Sequence, residues 1–475
     1  MTPAPRPSAR LGAPAGVAAV IVALGGLAAL SVVRPVAPLP FVLLCAAAAL
    51  VGLGAIAVRI APAWLLSLGI VVAPMAGNWE LVGLPGTLAP DRVLLLAGVI
   101  ATLARVPAVR DLPEPRVRAS HWIFAVYLAY GLGSAVVVGS IFSDTVFQLE
   151  RLGLTALGCF LVAPVAFARP EDRRILLWCL TGLGAYLGVL AVVEIVAPAL
   201  VFPAFIADPG IARHLGRARG PFLEAELNGF AMFASLLAAL ILRSGSVSVR
   251  ERRVAVAVVA LCALGILLTL TRTTWLGAVA GGLAALIATP SLRRYLLPSV
   301  AAGAVMVLAA LALIPGLAAS VTDRASNQHT VWDRQNLNRA AMNMVLDKPL
   351  TGHGWNRFSA VANDYFWQAD TYPLGVAKAK VGAHNLPLAI ASELGLIGVT
   401  LWAAGMIAAF WEGLTGRIPP SVRPWRIALI ALVVHYVVLV LVTPARHPVI
   451  ALFLLVWAAI AAGPRSLQPG TGRPA

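Results

Sequence analysis

Long apolar runs alternate with short polar segments from one end of this chain to the other. The runs fall at about 13–33, 36–58, 61–76, 89–104, 121–142, 151–168, 174–197, 221–242, 254–271, 273–289, 294–314, 384–410, 425–442 and 446–463. Coiled as α-helices that rise ~1.5 Å per residue, runs of roughly 17–25 residues cover the ~30 Å of bilayer hydrocarbon. The pattern predicts an all-α, polytopic transmembrane helical bundle of about fourteen helices. A membrane β-barrel would instead show short segments of alternating polarity. The first run is too long for the apolar part of a secretory signal and reads as a retained helix. The third and fourth are short enough to be re-entrant, and losing both would leave the parity of the bundle unchanged.

Arginines mark one side. Arg105, Arg110, Arg116 and Arg118 share one connector, Arg169, Arg173 and Arg174 the next of that parity, and Arg243, Arg250, Arg252 and Arg253 the one after. Arg293 and Arg294, then Arg417, Arg423 and Arg426, continue the series. The excess of positive charge assigns that side to the cytoplasm, together with both termini. The opposite side carries Pro198–Gly220 and the longest polar stretch, Pro315–Ala383, which is unusual for a connector. The expected organisation is a transmembrane core over 1–314, a large extracytoplasmic loop over 315–383, C-terminal transmembrane helices over 384–463 and a cytoplasmic tail over 464–475. Within the loop, Leu337, Ala341, Met344 and Val345 recur at helical spacing between Asp333 and Asp347, and Lys348-Pro349 ends that amphipathic helix. Trp355, Phe358, Tyr365, Phe366, Trp367 and Tyr372 then crowd together, as in a loop resting on the membrane interface; stacking on sugars is the alternative use.

Composition agrees with a membrane protein. Of 475 residues 60% are hydrophobic and 12% charged, a balance no soluble core of this length requires. The net charge of +16 could point to nucleic acid, but its arginines cluster between the apolar runs, so it reads as a topology signal. Cys45, Cys159, Cys179 and Cys262 all lie inside apolar runs and imply no disulfide framework.

Three polar constellations stand at the extracytoplasmic ends of apolar helices, where ionisable groups are costly and function is the default reading. The first is Arg213-His214-Leu215-Gly216-Arg217-Ala218-Arg219-Gly220-Pro221-Phe222, followed by Glu224, Glu226 and Asn228. Glu224 and Asn228 fall on one helical face, and Arg217, Arg219 and a helix start opened by Pro221 would suit an anion such as pyrophosphate. Snorkelling to lipid headgroups, with Glu224 or Glu226 as counter-charge, is the structural alternative. The second is Thr269-Leu270-Thr271-Arg272-Thr273-Thr274-Trp275-Leu276-Gly277, a lone arginine in a tight turn, which suits a second phosphate clamp or an interfacial anchor. The third joins Pro349-Leu350-Thr351-Gly352-His353-Gly354-Trp355-Asn356-Arg357-Phe358 to His384-Asn385-Leu386-Pro387 and Glu393-Leu394-Gly395-Leu396-Ile397-Gly398. His384, where polar loop meets apolar helix, could accept a proton from a hydroxyl or bind a leaving phosphate as a cation, or simply cap the helix. Glu393 reads as a buried structural partner.

Taken in order, Arg219-Gly220-x-Phe with Asn228, the Leu-Thr-x-Thr-Arg-x-x-Trp-Leu turn, Pro-Leu-x-Gly-x-Gly-Trp, and His-Asn before Glu-Leu-Gly-Leu-x-Gly resemble the O-antigen ligase and polymerase family over about residues 213–400. The resemblance implies a GT-C-like membrane glycosyltransferase that needs no metal or cofactor and inverts the sugar. Its donor would be a glycan on a polyprenyl-pyrophosphate carrier and its acceptor a hydroxyl of glycan, lipid or protein. The site would face outward from the cytoplasmic membrane, amid membrane lipids and without nucleic acid. It further implies that Arg219, Arg272 and His384 carry the chemistry. Arg217, Asn228, Glu224, Asn385, Arg334 and His353 are the candidate substrate-binding residues. Leu386-Pro387 after His-Asn, and the extra helices, depart from the commoner family layout. A polymerase of the same family, a flippase for lipid-linked oligosaccharides, and a scaffold for envelope synthesis are the competing readings.

Overall fold

The computed structural model describes residues 60–84, 89–106, 115–140, 153–211, 216–246, 248–314, 316, 318–319, 322, 329–366, 383–416, 418–443 and 447–463, without the side chains of 329–333. Among them every regular element is a helix: α1 (Pro62–Val72), α2 (Pro90–Arg105), α3 (Ala119–Val137), α4 (Leu154–Ala166), α5 (Pro170–Val196), α6 (Ala225–Ser244) and α7 (Val249–Leu268). The series continues with α8 (Arg272–Ala288), α9 (Leu296–Leu313), α10 (His329–Asp347), α11 (Leu386–Leu414), α12 (Arg423–Val442) and α13 (Pro448–Ala462). The bounds follow the apolar runs closely. Pro62, Pro90, Pro170 and Pro448 begin helices at the position where a missing N–H costs nothing.

Among the described residues six helical stretches are long and apolar enough to cross a bilayer: Ala119–Val137, Pro170–Val196, Ala225–Ser244, Pro290–Leu313, Leu386–Leu414 and Pro420–Val442. Helix α1, at 11 residues, would reach only ~17 Å. The expected runs at 13–33 and 36–58, both chain termini and much of 315–383 lie outside the described residues, as do Arg213 and His214.

Glycines set how closely the helices approach. Gly69 of α1 receives Leu95 of α2, and Gly98 of α2 receives Leu66 of α1, a reciprocal antiparallel fit. Gly184 and Gly188 of α5 lie against Ser235, Cys262 and Leu261, binding α5, α6 and α7 into one block. Gly277 and Gly281 of α8 lie against His435 and the carbonyl of Ala431 on α12. In lipid, where apolar surface gains little by leaving its surroundings, such close backbone approach supplies the association energy. Helix α9 is the least buried of the long helices among the described residues, with Ala310 its one buried residue.

The third constellation explains itself through α11. Gly395 interrupts this helix with φ 66° and ψ −170°, leaving carbonyls before the break without helical partners. The loop after α10 satisfies them: His353 N–H donates to Ser392 O (3.1 Å) and Gly354 N–H to Glu393 O (2.8 Å). Tyr130 of α3 adds its hydroxyl to Leu394 O (3.1 Å). In return Leu396 N–H donates to Pro349 O (2.7 Å). The Glu393 carboxylate, 1% exposed, accepts the amides of Asn356 (3.1 Å) and Phe358 (3.2 Å). Irregular backbone inside a bundle is tolerated only where protein completes its hydrogen bonds, and here two sequence motifs complete each other. The expectation that Glu393 is a structural partner matches this arrangement.

Candidate functional site

Helix α5 ends in Glu194, which is buried. Its Oε2 accepts the backbone N–H of Arg219 (3.0 Å) and its Oε1 that of Gly220 (2.9 Å). Arg219 is buried as well, and its Nη2 donates to Ile206 O (2.6 Å). Burial lowers the pKa of this guanidinium and the Glu194 charge raises it; a guanidinium keeps its proton through either. The carboxylate that holds the Arg219 backbone comes from another helix, α5. Glu194 is the one carboxylate in the run 174–197, and an acid in an apolar run was the signal for it.

The helix predicted to open at Pro221 starts later. Gly220–Phe222 forms a separate 3-10 turn, Leu223 takes φ 59°, and α6 begins at Ala225 with Glu224 as its N-cap residue. Glu224 and Asn228 are still one helical turn apart, since Asn228 N–H donates to Glu224 O (3.1 Å). Glu224 is exposed, whereas Asn228 is 0% exposed and donates from Nδ2 to Ala218 O (3.2 Å). Arg217 is half-buried in the same segment. Asn78, from the connector after α1, donates to Pro221 O (2.7 Å), and His447 packs edge-on against Phe222 while its Nε2 meets Ala76 O (3.1 Å). Neither Asn78 nor His447 belongs to a motif, and nothing local in the sequence points to them.

Arg272 is the first residue of α8 and is exposed. The turn before it is shaped by Leu270 at φ 48°, by Thr271 Oγ1 donating to Thr269 O (2.9 Å), and by Trp275 Nε1 donating to Ile266 O (3.0 Å). Two observations join this turn to the Arg219 segment. Ala218 N–H donates to Leu268 O (3.0 Å), and Gly229 of α6 packs on Thr274 of α8.

His384, half-buried, precedes Asn385, the N-cap of α11. Asn385 Oδ1 accepts Leu388 N–H (2.9 Å), so Leu386-Pro387 occupies the first turn without bending it away. Asn385 Nδ2 donates to Leu441 O (3.1 Å) at the end of α12. Since 277 faces 435 and 281 faces 431, α8 and α12 run antiparallel, and Arg272, five residues before 277, is level with Val440, five after 435. The segments bearing Arg219, Arg272 and His384 thus meet at one end of the bundle. Beneath Leu386 and Ile390 lies an apolar cavity of about 60 Å³, walled by Tyr127, Trp402, Tyr436 and His447.

Arg334 lies in α10 and His353 in the loop after it. His353 Nε2 meets Met344 O (3.1 Å) and lies 3.6 Å from Asp347, with its ring against Tyr365, so it fastens the loop to α10. Tyr365 donates to Asp347 (2.6 Å), which pushes the phenol up to about 12. Arg334 is half-buried on α10. Trp355 and Phe358 are buried rather than spread along an interface, because Ser134 and Ser140 of the α3 region hold the Trp355 backbone (3.1 and 2.8 Å) and Glu393 holds Phe358. Trp367 and Tyr372 lie outside the described residues. Among the described residues no group of three or more His, Cys, Asp or Glu side chains is placed to hold a metal ion.

No curated protein matches the chain. The Arg272 turn, the Pro349–Phe358 loop, His384-Asn385 and the break at Gly395 all fall within residues 257–403, which match the O-antigen ligase family model, and the chain carries the domain of that family.

Proposed function

We propose that this membrane protein is a glycosyltransferase of the O-antigen ligase type. It moves a glycan from a polyprenyl-pyrophosphate carrier to an acceptor hydroxyl at the extracytoplasmic face of the cytoplasmic membrane, for cell-surface polysaccharide synthesis. The observation that carries this reading is the meeting of the Arg219, Arg272 and His384-Asn385 segments at one end of the helical bundle. In the proposed step the acceptor oxygen attacks the anomeric carbon from the face opposite the carrier. The bond from that carbon to the pyrophosphate oxygen breaks, and the carrier leaves with the electron pair. The leaving group needs charge stabilisation more than a proton, which fixed guanidiniums supply in a site poor in water. Arg272, at the start of α8, supplies one guanidinium, and Arg219 adds its charge from the adjoining segment. His384 takes the hydroxyl proton. The reaction inverts the anomeric centre and calls on no metal.

Candidate binding roles for Arg217, Asn228, Glu224, Asn385, Arg334 and His353 divide by location. The first four lie in or beside the three joined segments, whereas Arg334 lies on α10 and His353 in the loop after it. The test is a strain lacking the protein, with carrier-linked glycans resolved by size. Long glycan accumulating on the outward leaflet supports the ligase. Single repeat units would indicate the polymerase, and accumulation on the cytoplasmic leaflet would indicate a flippase; either result overturns the ligase reading.

A further inference from the structure

Arg219 sits in the right-handed helical region (φ −103°, ψ −23°) and Gly220 in the left-handed one (φ 56°). Successive residues of that kind turn their N–H groups to one side and form a concave anion-binding nest. The nest is occupied by the protein's own carboxylate, with one oxygen of Glu194 on each amide. Gly220 fits there because a Cβ at that position would press on Asn228 Oδ1. The location is unfavourable for a carboxylate on three counts. It is buried, it lies in an apolar helix, and it stands at the C-terminal end of α5, where the helix dipole is negative. The two amides and the nearby Arg219 charge offset part of that cost.

We infer that Glu194 is a positioning residue of the transfer site, clamping the Arg219-Gly220 backbone so that the Arg219 guanidinium keeps a single orientation beside the Arg272 turn. The clamp belongs to a region the family match does not reach, since Glu194 precedes residue 257. Its partners also bound its motion. Ala218 is tied to Leu268, Pro221 to Asn78 and the Arg219 side chain to Ile206, so the segment is fixed on every side and Glu194 supplies the charged link.

The inference rests on the transferase reading, and a double-mutant cycle separates the two. Glycan transfer from a carrier-linked donor is measured for wild type, Glu194→Gln, Arg219→Lys and the double variant, each purified in detergent and normalised to folded protein. Glutamine keeps the shape but removes the charge and one acceptor. A misplaced guanidinium costs on the order of tenfold to a hundredfold in kcat. If Glu194 acts through Arg219, Glu194→Gln alone shows that loss and shows less than about a twofold loss in the Arg219→Lys background. An undiminished loss in that background, or wild-type rates for Glu194→Gln, overturns the inference while leaving the transferase reading intact. Absence of transfer by wild type overturns the transferase reading itself. Should Glu194→Gln not insert, Glu194→Asp, which keeps the charge and shortens the reach, is carried through the same cycle with the same criteria.

Discussion

Ala218 and Leu268 are joined backbone to backbone, the amide of the first donating to the carbonyl of the second at 3.0 Å. Through that bond the residue before Arg219 is held against the turn that presents Arg272. Two arginine signals that are separate and weak along the chain thereby come to lie on adjoining segments, and the cap of α11 ties the His384-Asn385 segment to the end of α12.

Arg272→Ala and His384→Ala are expected to reduce transfer by on the order of a hundredfold, the first by removing a charge that stabilises the leaving group and the second by removing the proton acceptor. Arg272 is exposed, so its removal leaves insertion and yield unchanged. Transfer assays on membranes with matched protein amounts check this; unaltered rates in both variants would remove the chemical role.

Glu393→Ala leaves the amides of Asn356 and Phe358 without their acceptor inside the bundle. Each unsatisfied buried group costs about 1–3 kcal/mol. The expected outcome is a lower melting temperature in detergent together with new proteolysis within 349–358. A rate loss with an unchanged melting temperature would instead make Glu393 a participant in the chemistry.

Gly395→Ala strains a left-handed position and drives a methyl group into the carbonyl of Leu350. Strain of this kind costs on the order of 1–3 kcal/mol, with the clash in addition. Gly303→Ala in α9, with open space around it, is the control and is expected to be neutral or to stabilise by up to about 1 kcal/mol. Equal melting temperatures for the two variants would contradict the account of the helix break.

Asn385→Asp keeps the side-chain cap of α11 and loses the donor to Leu441, whereas Asn385→Ala loses both. Loss of the cap costs about 0.5–2 kcal/mol. Transfer should therefore fall in both variants, and thermal stability should fall further in the alanine variant. Stability that falls equally in both would place the whole effect on the Leu441 contact.

Helix positions were legible because hydropathy is a local property. The run at 174–197 became Pro170–Val196, and the amphipathic spacing at Asp333–Asp347 became His329–Asp347. The order of the motifs was legible too, and it pointed to the family that residues 257–403 match. The carboxylate that holds the Arg219 backbone was not: Glu194 stands 25 residues away on α5, and proximity in sequence carries no weight once three helices have packed through Gly184 and Gly188. The burial of Trp355 and Phe358 in the aromatic cluster was not legible for a related reason, since composition alone does not separate a ring resting on lipid from one buried under a loop.

The amino-acid sequence by itself determined the helical, membrane-bound character of the protein, the bounds of its helices and the residue types available for chemistry, because a helix in lipid closes its own hydrogen bonds. Which of those residues share a site was decided by tertiary structure, where interrupted backbone and buried charge had to be completed from distant segments: Glu194 under Arg219, Leu268 beside Ala218, and Leu441 against Asn385.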